Sequence, residues 1–185
     1  MFTFLVPLLL GFCFNSASAF TTFFSQRLGQ RAGRLASILL RDVLGIPVWA
    51  IGYALAVRSS STNLFNPGLV SSIAAWVVLL LGMVVISAGL WSLGWRAAAP
   101  STQDTLERRG LYAHIRHPLY SGLLLELVGL FLWMPTLSVS LACLLGVLWI
   151  MLQARLEELD LVQRLPAYRD YMKHVPRFVP KFKLG

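Results

Sequence analysis

Two polar stretches in an otherwise apolar chain carry the residue types that do chemistry. The first is Gly110-Leu111-Tyr112-Ala113-His114-Ile115-Arg116-His117-Pro118-Leu119-Tyr120-Ser121-Gly122. It places two of the three histidines, two of the five tyrosines and an arginine between Tyr112 and Tyr120. The second is Arg155-Leu156-Glu157-Glu158-Leu159-Asp160-Leu161. Pro118 opens an apolar run and suits a first helical turn, so Arg116 and His117 are predicted to stand at a helix N-terminus. Free N–H groups and the helix dipole make that end a seat for an anionic ligand group. The i, i+3 spacing of His114 and His117 invites a metal reading, but no convincing further ligand set accompanies it, and no metal is expected.

The elements that must position these stretches are membrane helices. The chain is 57% hydrophobic and 13% charged over 185 residues, with a mean hydropathy of +0.68. That composition excludes an ordinary soluble domain. Five apolar runs follow one another: Met1–Phe24, Val43–Val57, Val70–Leu93, Leu119–Met134 and Leu137–Leu152. The first contains Ala17-Ser18-Ala19, the form of a signal-peptide cleavage site. No Lys or Arg precedes its apolar core, however, and the run continues through Phe24, so it reads as a span. The second is interrupted by Pro47 and Gly52. The last two are joined by Pro135-Thr136 alone and have to form an antiparallel hairpin. At about 16 residues each, or roughly 24 Å of helix, they fall short of a ~30 Å hydrocarbon core. Beyond Leu152 the helix is expected to run on as an amphipathic extension to about Leu165, before Pro166. In the tail, Tyr168, Tyr171 and His174 share one helical face.

The expected architecture is therefore a single all-α integral-membrane domain over residues 1–185 with about five transmembrane segments. Residues 1–100 supply the first three membrane helices, and 101–185 form the cofactor-binding half. With five crossings, fifteen of the 16 Lys and Arg residues fall on one face; only Arg58 lies opposite. The positive-inside rule makes that face cytoplasmic and puts the N-terminus outside. The charge is thus a topology signal, and no nucleic-acid motif accompanies it. Cys13 and Cys143 lie in apolar runs and read as small packing residues without a disulfide. Glu126, inside an apolar run, is either functional or hydrogen-bonded to a neighbouring helix. For Glu157 and Glu158 a solvated acidic helix face competes with a ligand-binding role. Because the hairpin is antiparallel, Pro118 and Arg155 return to one membrane depth, which brings the two polar stretches together.

Gly110-x-Tyr112-x-x-x-Arg116-His117-Pro118-x-Tyr120-x-Gly122, followed by Glu157-Glu158-x-x-Leu161 and then Tyr168-x-x-Tyr171-x-x-x-Val175-Pro176-Arg177-Phe178-Val179-Pro180, resembles the isoprenylcysteine carboxyl methyltransferase family. The related phospholipid N-methyltransferases share part of the pattern. The resemblance covers roughly Thr105 to Pro180 and implies S-adenosylmethionine as methyl donor. It also implies a site facing the cytoplasm and open sideways to lipid. The acceptor would be apolar or lipid-like, an isoprenylcysteine carboxylate or a phospholipid amine among the possibilities. Carried over by position, Thr105, Leu106, Tyr112, His117, Pro118, Leu119, Tyr120 and Glu157 would contact the donor. Arg116 and Arg155 stand as the candidate catalytic cations. The chain departs from the family at Asp104, where histidine is common. It departs again at Gln153, where isoprenylcysteine methyltransferases carry a substrate-binding arginine, and between Leu165 and Tyr168, which is one residue short.

Methyl transfer from a sulfonium is an in-line displacement that chiefly needs donor and acceptor held close and aligned. The donor's carboxylate suits a helix N-terminus or Arg116, its ammonium suits Glu157, and tyrosine faces favour the sulfonium. Glu158, one helical step of about 100° from Glu157, is expected to face solvent. Membrane lipids are the expected surroundings, and no protein partner can be inferred. Two other classes remain: a sterol-type reductase using NADPH, since such enzymes also carry Arg-His-Pro-x-Tyr though with Asn at the place of Leu119, and a non-catalytic membrane scaffold.

Overall fold

The computed structural model describes residues 2–94 and 105–181. Arg96, Asp104 and Lys183 lie outside the described residues. Regular structure among the described residues is helical: α1 Leu5–Ser18, α2 Thr21–Leu28, α3 Gln30–Ile38, α4 Ile46–Arg58, α5 Leu69–Leu93, α6 Pro118–Trp133, α7 Leu137–Arg164 and α8 Tyr168–His174. A π-helical turn, Leu39–Gly45, joins α3 to α4, and a 3₁₀ turn spans Gly110–Ala113.

The protein is an all-helical integral membrane protein. Among the described residues, three helical stretches are long and apolar enough to cross a bilayer: Gln30–Arg58, Leu69–Leu93 and Leu137–Arg164. A fourth is added if α1 and α2, bent by 64° at Ala19-Phe20, count as one broken span. The first apolar run is thus two helices. Its bend is held locally, with Ser18 Oγ donating to Asn15 O at 2.6 Å and Thr21 Oγ1 to Ser18 O at 3.4 Å. Gly29, at φ +84°, then lets the chain reverse from α2 into α3. Pro47 does not end the second run. It falls in the first turn of α4, directly after the π turn that re-routes the backbone bonding its missing N–H would break. The 16-residue α6 falls short of a span. The last apolar run continues unbroken past Leu152 as the 28-residue α7, which ends at Arg164, before Pro166.

Two sets of helices meet on α7. Half of its apolar stretch is buried inside the protein, against 11% for α5. On one side α1 and α4 cross closely, since a Cβ on Gly52 would come within 2.7 Å of Leu8 Cα. On the other, α5 and α6 approach just as tightly, with a Cβ on Gly122 2.8 Å from Gly82 O. Backbone approach of this kind replaces the hydrophobic drive that lipid abolishes between membrane helices. Phe12 of α1 stacks on Trp149 of α7 at 4.5 Å, tying the first set to the central helix. The loop after α4 clamps the turn before α7, where Leu64 N donates to Pro135 O at 2.7 Å and Leu137 N to Thr62 O at 2.9 Å. Thr136 caps α7 by accepting from Val139 N.

Gly52→Val would drive two methyls into the Leu8 backbone, where no flexible side-chain end can yield. Overpacking of this type costs about 1–3 kcal/mol. Thermal unfolding in detergent, followed by tryptophan fluorescence, should show a lower midpoint for Gly52→Val and a much smaller change for Gly68→Val, whose surroundings are open.

Candidate active site

The start of α6 is built as the sequence suggested. Pro118 occupies its first turn and His117 its N-cap position. Directly before it, the backbone of Arg116 and His117 is strapped to the chain after α8. Arg116 N donates to Pro176 O at 2.9 Å and His117 N to Arg177 O at 3.0 Å. One turn into α6, Ser121 Oγ donates to Phe178 O at 2.7 Å. The tail therefore returns across the mouth of α6 and lays Phe178 beside the His117 ring.

Glu158 is the buried centre of this junction, with 2% of its side chain exposed. Its Oε1 accepts from Arg116 Nη2 at 3.0 Å, Arg177 Nε at 3.0 Å and His117 Nε2 at 3.3 Å, and its Oε2 pairs with Arg177 Nη2. Arg116 Nη1 donates in turn to Met172 O at 2.7 Å and Val175 O at 3.0 Å. The expectation that Glu158 faces solvent is thus corrected. The hundred-degree step between the two glutamates turns Glu158 toward the tail that packs on α7, and turns Glu157 toward the cavity.

That cavity measures about 1190 Å³, above the usual range for one small ligand. It lies between the two helix sets with α7 as its floor. At one end Glu157, 31% exposed, accepts from the Tyr120 hydroxyl and from Gln153 Nε2 at 3.2 Å, and its Oε2 stands 3.8 Å from His117 Nδ1. Thr105, Leu106, Tyr112 and Leu119 complete this end. The Tyr171 hydroxyl donates to Tyr112 O, and the Arg108 guanidinium lies over the Tyr171 ring at 5.7 Å. Burial, reinforced by the charge on Glu157, pushes the Tyr112 phenol well above its ordinary range, and burial holds Tyr171 up at about 12. Both phenols are protonated at neutral pH and act as donors and ring surfaces. Beyond this end the lining includes an apolar and aromatic stretch, Trp49, Leu123 and Trp149, with Ile46, Leu90 and Trp91 exposed where the cavity reaches the outer surface between α4 and α5.

Seven of the residues singled out from the sequence line this one cavity: Thr105, Leu106, Tyr112, His117, Leu119, Tyr120 and Glu157. Pro118 is buried behind them and sets the helix start. Arg116 also lines the cavity, but its terminal nitrogens are engaged by Glu158 and two carbonyls, leaving its buried Nε without a partner. Arg155 is exposed and does not line the cavity. His114 is exposed, and so is His174, whereas Tyr168 and Tyr171 are buried; the tail face is divided after its tyrosines. Sequence reasoning missed the N-terminal contribution. Asn15, Ser37, Trp49 and the pair Arg41–Asp42 also line the cavity, as does the Arg164–Asp160 pair of α7. Asp160 reaches back to accept from Thr22 N at 2.9 Å, fastening α2 to α7. The available signal was Asn15 itself, an uncharged amide in an apolar run, where an unpaired polar group is costly.

Among families of known proteins, residues 69–163 match the isoprenylcysteine carboxyl methyltransferase (ICMT) family. A curated relative, the nickel-cobalt-cadmium resistance protein NccN of Alcaligenes xylosoxydans xylosoxydans, is 28% identical over 154 residues, 81% of this chain and 70% of that protein. No solved structure matches the chain.

Removing the charge of Glu158 leaves two arginines facing each other in a buried site, and breaking such a pair typically costs about 3–5 kcal/mol. Glu158→Gln should therefore lower the thermal midpoint far more than Glu157→Gln, whose carboxylate is partly solvated. Differential scanning fluorimetry on both variants in one detergent checks the order; equal shifts would contradict the geometry.

Proposed function

The chain belongs to the isoprenylcysteine carboxyl methyltransferase family, and on that premise we propose that it transfers a methyl group from S-adenosylmethionine to an apolar or lipid-like acceptor. The observation that carries this reading is the cavity itself. One end is acidic, hydroxylated and aromatic, an apolar and aromatic stretch of the wall reaches the outer surface between α4 and α5, and a single volume of about 1190 Å³ spans both. A polar donor and a greasy acceptor need that division.

The residues present fit the donor. Glu157 offers a carboxylate to its ammonium, and the partnerless Nε–H of Arg116 offers a donor to its carboxylate. Tyr112 and Tyr120 supply ring faces next to the positive sulfonium. When bound, S-adenosylmethionine brings an already activated methyl group, so the protein needs to align rather than to activate. The strapped tail holds His117 against Tyr120, with ring centroids 5.5 Å apart, and fixes the rim of the donor end. Tyr120 in turn holds Glu157. Arg155, outside the cavity, takes no part in this reading. Arg116 acts through its place at the rim.

The proposed topology has five crossings. The bent α1–α2 pair, Gln30–Arg58, α5, the short α6 and α7 each traverse the bilayer, α6 with local thinning. The N-terminus lies outside, and the end of α7 with α8 forms a cytoplasmic extension that bears the active site.

Isothermal calorimetry on the purified protein should show S-adenosylmethionine binding and no NADPH binding; the reverse would favour a reductase. A charge-assisted hydrogen bond contributes ~1.5–3 kcal/mol, so Glu157→Gln should weaken the donor about tenfold to a hundredfold. Cysteine labelling at Ser60 and at Lys173 should report opposite sides of the membrane. Labelling from one side at both positions would overturn the topology.

A further inference from the structure

The wall of the cavity built by α1 and α4 has a chemistry that the donor does not use. Asn15 lines it and is 5% exposed, and its side-chain Oδ1 is buried without a hydrogen-bond partner. Next to it Gln153, fully buried in α7, donates through Nε2 both to Asn15 O at 3.4 Å and to Glu157 Oε1 at 3.2 Å. Those two acceptors fix its amide orientation and leave Gln153 Oε1 buried and partnerless as well. On the same wall, Trp49 Nε1 is a buried donor without an acceptor. Orphaned polar groups of this kind are costly unless a ligand completes them. One glutamine amide separates Asn15 from Glu157, so the two ends of the cavity are neighbours. Rings bridge them too, with Tyr120 and Trp149 at 6.5 Å and Trp149 and Trp49 at 6.3 Å between centroids.

Charge narrows the choice of ligand. Among the described residues that line the cavity the arginines are Arg41, Arg116 and Arg164, and each is already in an ion pair, with Asp42, Glu158 and Asp160 respectively. An anionic head placed at Asn15 would lose water and meet no uncommitted cation, a costly state. A head that donates a hydrogen bond would instead complete an orphaned amide oxygen.

Resting on the methyltransferase reading above, we infer that Asn15, supported by Gln153 and Trp49, forms the subsite for the acceptor's reactive head, and that this head is hydrogen-bond donating, a hydroxyl or an amine, rather than a carboxylate. Its N–H or O–H points to Asn15 Oδ1, and the apolar body lies along Trp49, Trp149 and Leu90 toward the outer surface. In the transfer step an ammonium head first gives one proton to water, and a lone pair of the neutral nitrogen, or of a hydroxyl oxygen, then forms the new bond to the methyl carbon. The bond from that carbon to the donor sulfur breaks, its electron pair leaves the sulfur as a neutral thioether, and the head's proton passes to water.

The test uses the full chain in detergent micelles, a labelled methyl donor, and three probes with one saturated chain: hexadecanol, hexadecylamine and hexadecanoate. The expected result is transfer to the alcohol or the amine with kcat/KM at least about tenfold above that for the carboxylate; which of the two is preferred identifies the head. Asn15→Leu removes an unsatisfied atom, so its thermal midpoint and donor Kd should hold or improve while the acceptor KM rises about tenfold. Asn15→Ser, which keeps an oxygen, should retain most activity. Preference for hexadecanoate, or a wild-type acceptor KM in a folded Asn15→Leu, would overturn the inference and leave donor binding intact. Absence of donor binding in the wild type would instead overturn the methyltransferase reading, and this inference with it. If Asn15→Leu fails to fold, the probe ranking on the wild-type protein decides.

Discussion

A carboxylate withdrawn from water must be compensated where it sits, and Glu158 shows how much of a small membrane protein can follow from that requirement. Two arginines and a histidine surround it, and they come from separate parts of the chain: Arg116 and His117 from the entry to α6, Arg177 from the segment after α8. Satisfying one charge therefore fixes the order in which three segments pack. The tail has to return, α8 has to lie where Met172 and Val175 offer carbonyls to Arg116, and α6 has to begin at Pro118 with its rim pinned. A buried pair of this kind gives little net stability against an apolar replacement. What it supplies here is position.

Position matters because the cavity has no continuous wall of its own. The helices before and after the loop at residues 59–67 belong to different sets, α1 to α4 and α5 with α6, and both rest on α7. The space between them is the cavity, so its shape is the relative placement of the two sets. Glycine-mediated approach makes each set rigid internally, while the Phe12–Trp149 stack and the Asp160–Thr22 bond secure the first set to α7. The Glu158 cluster does the same for the entrance of α6. A division of labour follows, in which the C-terminal half frames the acidic end and the N-terminal half contributes an amide and an indole to the opposite wall. Residues of α1 and α4 line the cavity as well as those of the C-terminal half.

Much of this was legible in the residues. Hydropathy identified a helical membrane protein, because a lipid environment permits little else for runs of this length. Pro118 and the polar cluster around it marked a helix start with a site, since proline's missing N–H and fixed φ act locally. Eight of the ten residues singled out from the sequence, Arg116 among them, line one cavity. Helix bending and counting were less legible. The break at Ala19-Phe20 is held by two hydroxyl-to-carbonyl bonds, and the passage through Pro47 by a π turn; neither leaves a mark in an average of hydropathy.

The sequence by itself determined the fold class, the helix start at Pro118 and the presence of an acidic, aromatic cavity end, all of which depend on near neighbours along the chain. The family resemblance singled out Glu157 over Glu158, but local pattern gave no physical reason for the choice. Adjacent residues of one type on a helix differ only in the direction they face, and that direction acquires meaning only from what packs there. Tertiary structure turned Glu158 to the returning tail and Glu157 to the cavity, took Arg155 out to the surface, and brought Asn15 of α1 beside Gln153 of α7 across most of the chain's length. Those outcomes rest on contacts between segments far apart in sequence, where burial and charge compensation decide, and no local pattern encodes them.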